Sequence, residues 1–126
     1  MGIDQTIRNA AEKVLKSADG FVVFDDGNEL EYVQFPRERD GLMMMWPADG
    51  PRVPAGEDVQ SLLESVGFTR GDDIRTIPPK TFVVEDDGIY AQFGTDVDLI
   101  ENFTTSAFER VYGRLGLQKL NARVDV

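Results

Sequence analysis

The sequence predicts one α+β domain spanning residues 1–126: helix, three-stranded antiparallel meander, helix, β-hairpin, helix, with a single sheet packed with helices. Three observations carry that prediction. Apolar residues recur at helical spacing in three separated stretches. Between them lie short runs rich in Val, Phe, Met and Tyr, bounded by Asp-Gly and Pro turn signals. The links between consecutive strands are short, which favours hairpins. A chain of 126 residues can bury a full core as one domain, whereas two domains would each sit near the lower limit for independent folding.

Ile3, Ile7, Ala10, Ala11, Val14, Leu15 and Ala18 form one stripe, predicting a first helix over 4–18 with Asp4 as its cap and Asp19-Gly20 as its stop. Phe21–Phe24 reads as a strand ended by the turn Asp25-Asp26-Gly27-Asn28. A second strand runs from Glu29 to Phe35, where Pro36 is expected to break it for want of an N–H. Arg37–Gly41 turns the chain into Leu42–Trp46, stopped by Pro47. Residues 47–56, rich in Pro and Gly, form a loop leading to a second helix over 57–66 with Val59, Leu62, Leu63 and Val66 on one face. Gly67 stands where a left-handed cap belongs, and Phe68 is placed to fold back on Leu63. Lys80–Glu85, the turn at Asp86-Asp87-Gly88 and Ile89–Phe93 make the hairpin. Thr95 then caps a third helix with Asp96 and Asp98 in its first turn, ending near residue 114 where Gly113 and Gly116 weaken it. The tail 117–126 either packs down through Leu117, Leu120 and Val124 or frays.

Phe21–Gly27 echoes Phe82–Gly88, and Tyr32–Phe35 echoes Tyr90–Phe93. Two hairpins of similar geometry converging on similar residues account for this more simply than a duplication does.

Composition narrows the chemistry. The chain has no cysteine and no histidine, which removes thiolate metal sites, a catalytic thiol, the commonest general base and the commonest transition-metal ligand. No metal or cofactor is expected. Thirteen basic and 23 acidic residues give a net charge of −10, which repels phosphate backbones and anionic lipid and attracts basic proteins. Neither nucleic acid nor a membrane is therefore an expected partner. No apolar run approaches a spanning helix and the start carries no signal-like pattern, so a cytoplasmic location is expected. Asp25-Asp26 and Asp86-Asp87 lack the alternate acids, central glycine and distal glutamate of a calcium loop, and acids before glycine suit hairpin turns. Ser17, Ser61, Ser65 and Ser106 have no nucleophile elbow and no histidine to activate them. Arg37 and Arg39 read as solvated turn charges rather than an anion site, and Lys80 as an amine with no nameable partner. An enzyme is disfavoured, and no catalytic residue is assigned.

The apolar surfaces say more. A sheet covered on one side alternates apolar and polar residues, and Glu29-Leu30-Glu31-Tyr32 begins that way. Phe21–Phe24 and Leu42–Trp46 are instead apolar on both faces. Either the helices split between the faces, or one face meets another molecule. Methionine adapts to varied partners, and Trp and Tyr anchor interfaces. Tyr32, Met43, Met45, Trp46 and Tyr90 are therefore the candidate protein-interaction surface, and a homodimer is expected.

In element order and length, residues 4–115 resemble the small α+β fold of type III secretion chaperones and their non-secretory bacterial relatives, the chaperone-like domains sometimes labelled sensory-transduction regulators. The local carriers are Tyr32–Phe35, Leu62-Leu63-Glu64-Ser65-Val66-Gly67-Phe68 and Phe108-Glu109-Arg110-Val111-Tyr112-Gly113. The resemblance implies an acidic, dimeric, non-catalytic protein that binds an extended segment of another protein. The alternative is an acidic inhibitor or immunity-type protein that occupies a basic partner. A carboxylate-dependent or Lys80-dependent enzyme comes third.

Overall fold

The computed structural model describes residues 2–25, 27, 32–47 and 55–126. Helix α1 spans Ile3–Leu15, followed by strands β1 (Phe21–Asp25), β2 (Tyr32–Glu38) and β3 (Gly41–Pro47). Helix α2 (Ala55–Ser65), β4 (Thr69–Arg70), β5 (Thr81–Glu85) and β6 (Gly88–Gly94) come next, then α3 (Val97–Gln118) and β7 (Asn121–Asp125). The strands form one sheet in the order β4-β5-β6-β3-β2-β1-β7, antiparallel throughout except for the β4–β5 pair. The α+β class and the helix–meander–helix–hairpin–helix order are those the sequence predicts, with two strands added.

All three helices lie on one face. Ile7, Val14, Val59, Leu63, Phe103 and Phe108 from the helices share a single buried cluster with Val22, Phe24, Phe35, Met44, Trp46, Ile89 and Phe93 from alternate sheet positions. Phe93 is its hub, with ring centroids 4.8 Å from Phe68, 5.0 Å from Phe103 and 5.5 Å from Phe35. Each such pair adds about 0.5–1.5 kcal/mol beyond the area it buries.

Local chemistry moves several predicted boundaries. Helix α1 starts from Gly2 rather than from an Asp4 cap; Asp4 lies in its first turn and accepts a 3.1 Å hydrogen bond from the Thr105 hydroxyl of α3. The helix also stops short of residue 18. The Ser17 hydroxyl donates to the Val14 carbonyl (2.6 Å) and accepts from the Gly20 N–H (3.0 Å), replacing the next helical bonds with side-chain ones. Strand β2 runs through Pro36 instead of ending before it. Arg37 N–H donates to the Gly20 carbonyl at 2.7 Å, and successive residues aim their N–H groups at opposite neighbours. The proline nitrogen therefore faces β3, between the pairs Gln34↔Met45 and Arg37↔Leu42, and only that ladder loses a donor. The Asp25–Asn28 turn, the strand start at 29–31 and the loop at 48–54 lie outside the described residues, except that the Asp25 carboxylate accepts from the Gly27 N–H at 3.0 Å.

Gly67 closes α2 as the sequence predicts. Its φ is +99°, Phe68 N–H donates to the Leu63 carbonyl (3.0 Å) and Gly67 N–H to that of Glu64 (3.1 Å), the paired bonds of a Schellman cap. Phe68 folds into the core. At α3 the cap is Asp96, not Thr95: its carboxylate accepts from the Leu99 N–H at 3.1 Å. Helical geometry breaks at Gly113 (φ 79°, ψ 175°), and a further short helical stretch runs to Gln118. The tail then pairs as β7 along all of β1, from Phe21↔Asp125 to Asp25↔Asn121.

The sequence echo does not mark equivalent positions. Phe82 faces the helices, whereas Phe21 lies on the opposite sheet face beside Val23; a one-residue offset exchanges the faces. The turns differ too, since Glu85 pairs directly with Gly88 but Asp25 pairs with Tyr32.

Candidate functional site: the open face of the sheet

Because the helices occupy one face, the alternate side chains of each strand point to the other. Register aligns them in a row crossing the sheet: Val83↔Tyr90↔Met45↔Gln34↔Val23↔Arg123. A neighbouring row runs Thr81↔Gln92↔Met43. Met45 and Tyr90, two of the sequence candidates, are thus direct cross-strand partners, and both are half-buried. Met43 is half-buried one row away.

Segment 71–80 covers the Met43 end. Ile77 is 8% exposed and, with Met43 and Gln92, lines a broad cleft of about 420 Å³ that Arg39 and Arg75 also border. Gln92 is buried there, its side-chain carbonyl accepting from the Gly94 N–H at 2.8 Å. Lys80 follows the Pro78-Pro79 pair with a φ of 62°. Its N–H donates to the Gln92 carbonyl (2.8 Å) and its carbonyl accepts from the Thr69 N–H (3.1 Å), so its backbone ties β4 to the hairpin while its side chain is exposed.

The centre of the face holds a smaller cleft of about 140 Å³, lined by Gln34, Met45, Trp46, Pro47, Asp87, Gly88 and Tyr90. Small-molecule pockets generally run to about 300–1,000 Å³, so this one has room for a side chain rather than a whole cofactor. The Tyr90 hydroxyl donates to the Asp87 carboxylate at 2.9 Å. Burial, then that hydrogen bond and the charges of Asp87 and Glu85, push the Tyr90 phenol up to about 12. Asp87 is one of the two turn residues between Glu85 and Gly88, and it is exposed.

Trp46 departs from the expectation that it belongs to an exposed interaction surface. It is 3% exposed and faces the helices, stacked on Tyr112 (centroids 5.8 Å, planes 11° apart) and edge-on to Phe108 at 6.5 Å. Strand alternation explains this: Leu42, Met44 and Trp46 share the helical face that Met43 and Met45 oppose. The side chain of Tyr32 lies outside the described part of the chain, although its backbone pairs with Asp25. Sequence reasoning missed Gln34 and Ile77. Gln34 would have needed the register with Met45, and Ile77 sits in a polar stretch with no periodicity.

Charges elsewhere tie elements together. Arg8 of α1 donates from Nε to Glu101 (3.0 Å) and pairs with Asp98 at the start of α3; hydrogen bonds to Asp98 and then Glu101 raise its pKa above the ordinary arginine value. Asp73 accepts from the side chain and N–H of Arg75, which lowers its carboxyl. Arg37 donates to the Glu38 carbonyl at 2.7 Å. Among the described residues, no cluster of three or more carboxylate, histidine or cysteine side chains is placed to hold a metal, and no helix is long and apolar enough to cross a membrane. No protein-family model matches the chain, and no curated protein or solved structure matches it either.

Proposed function

We propose that this chain is a non-enzymatic, chaperone-like protein-binding module that holds an extended segment of another protein against the open face of its sheet. One observation carries the reading: Tyr90 and Met45, half-buried cross-strand partners beside the buried Val83, present apolar surface opposite the helical layer and line a side-chain-sized cleft. An extended segment presents side chains at alternate positions, a spacing that matches rows on a pleated face. Met45 and Met43 supply adaptable contact, and Tyr90 supplies a rigid anchor with a polar tip. In this reading the expected homodimer uses the same face, a choice supported by the other face being filled by the chain's own helices. A second copy and a bound segment then compete.

The acidic-inhibitor reading draws its support from the net charge of −10. Salt separates the two, since apolar docking persists at high ionic strength and charge-steered capture fades. The test is affinity capture from the native host with wild type and Met45→Glu at low and high salt. A partner retained by wild type at high salt and lost with Met45→Glu supports segment holding. Equal retention by both proteins places binding elsewhere and refutes it.

A further inference from the structure

The central cleft is not uniformly apolar, and its polar end carries one sign of charge. Met45, Pro47 and the Tyr90 ring make its walls, while Asp87 stands at the mouth. One Asp87 carboxylate oxygen accepts from the Tyr90 hydroxyl, and the other has no bonded partner among the described residues. Glu85 and Asp86, both exposed, flank it on the same hairpin. No cation counters this rim: the cleft is lined by no lysine or arginine among the described residues, and the whole chain carries −10. The amide of Gln34 adds a neutral polar group.

A slot with apolar walls, an aromatic face and a carboxylate at one end fits a long side chain that is apolar along its stem and cationic at its tip. We infer that the cleft is a specificity subsite for a basic residue, arginine above lysine, of the segment this face holds. The stem lies against Met45 and Pro47, the guanidinium plane stacks on the Tyr90 ring, and its N–H groups donate to Asp87. Arginine is favoured because its planar fork stacks and bonds at once, which an ammonium cannot do. This rests on the segment-holding reading and adds the chemistry of one residue in that segment.

The test is selection of a random heptapeptide library on wild type and on Asp87→Asn, followed by affinity measurement of the enriched peptides by fluorescence anisotropy of the labelled peptide. Wild type is expected to enrich arginine, then lysine, at one fixed position. Replacing that residue by norleucine, or Asp87 by Asn, should weaken binding at least tenfold, and Asp87→Glu should restore most of it. Enriched peptides with no basic position, or with the same affinity for Asp87→Asn, overturn the subsite and leave segment holding intact. A library that enriches nothing on either protein overturns both.

Discussion

Gly41 and Gly67 both have positive φ, +138° and +99°, yet a methyl group at each meets different surroundings. At Gly67 a Cβ finds nothing within 4 Å, so substitution there costs only backbone strain. Forcing an L-residue into the left-handed region costs about 1–2 kcal/mol, the upper end applying to a β-branched residue. At Gly41 the Cβ lies 2.1 Å from the backbone carbon and oxygen of Gly94 and 2.4 Å from its Cα. No rotamer relieves a clash between backbones. Here β3 and β6 must separate where Leu42 pairs with Gly94, loosening the buried Leu42 and Phe93 side chains. That combination of strain and lost packing costs about 4 kcal/mol, in the exceptional range for one substitution. Urea unfolding followed by Trp46 fluorescence measures both. With an m-value of roughly 1.5 kcal/mol/M, Gly67→Val should lower the midpoint by about 1 M and Gly41→Ala by more than about 2 M. Equal shifts, or an unchanged midpoint for Gly67→Val, would refute the reasoning from conformation and clearance.

Thr104 is 1% exposed in α3 and its hydroxyl has no hydrogen-bond partner among the described residues, so the nearly isosteric Thr104→Val should raise stability by about 1 kcal/mol in the same urea assay. The phenol step that Tyr90→Phe removes from an ultraviolet titration should lie near pH 12 against the ordinary 10.0, and lower in Asp87→Asn. The folded chain holds that proton longer than the unfolded one, so the associated stability is complete below pH 10 and is lost as pH rises from 10 towards 12. Light scattering at micromolar concentration should give twice 14.1 kDa, more completely at high salt because screening weakens the repulsion of two −10 charges, and Met45→Glu should return the monomer. A mass of 14.1 kDa at every salt concentration removes the homodimer.

Elements with strong periodic patterns and unambiguous punctuation were legible from the chain alone. The α1 stripe, the Gly67 cap with its Phe68 partner, the break at Gly113 and the Asp86-Asp87 turn are each set by local chemistry, and each stands where that chemistry puts it. Pro36 misleads because its cost depends on which neighbour its nitrogen faces, a property of register rather than of the residue. Strand β7, Asn-Ala-Arg-Val-Asp, carries little apolar content and owes its conformation to the edge that β1 offers. Strand β4 is two residues long and has no pattern to read. The site was half legible. Alternation puts Met43 and Met45 opposite Met44, and the same alternation assigns Trp46 to the helical side. Pairing Met45 with Tyr90, and placing Asp87 beside them, needed the β3–β6 register, which spans more than forty residues of chain.

Met43, Met44 and Met45 are consecutive and point alternately to the two faces, so they report on the central claim within one protein. With 13C-methyl methionine, the spectrum is recorded while the tightest-binding selected peptide is added to saturation. Segment holding on the open face predicts that the Met45 methyl shifts most, Met43 shifts less, and Met44, fully buried beneath the helices, stays in place. An unmoved Met45 methyl at saturation, whatever the peptide's affinity, would contradict the account.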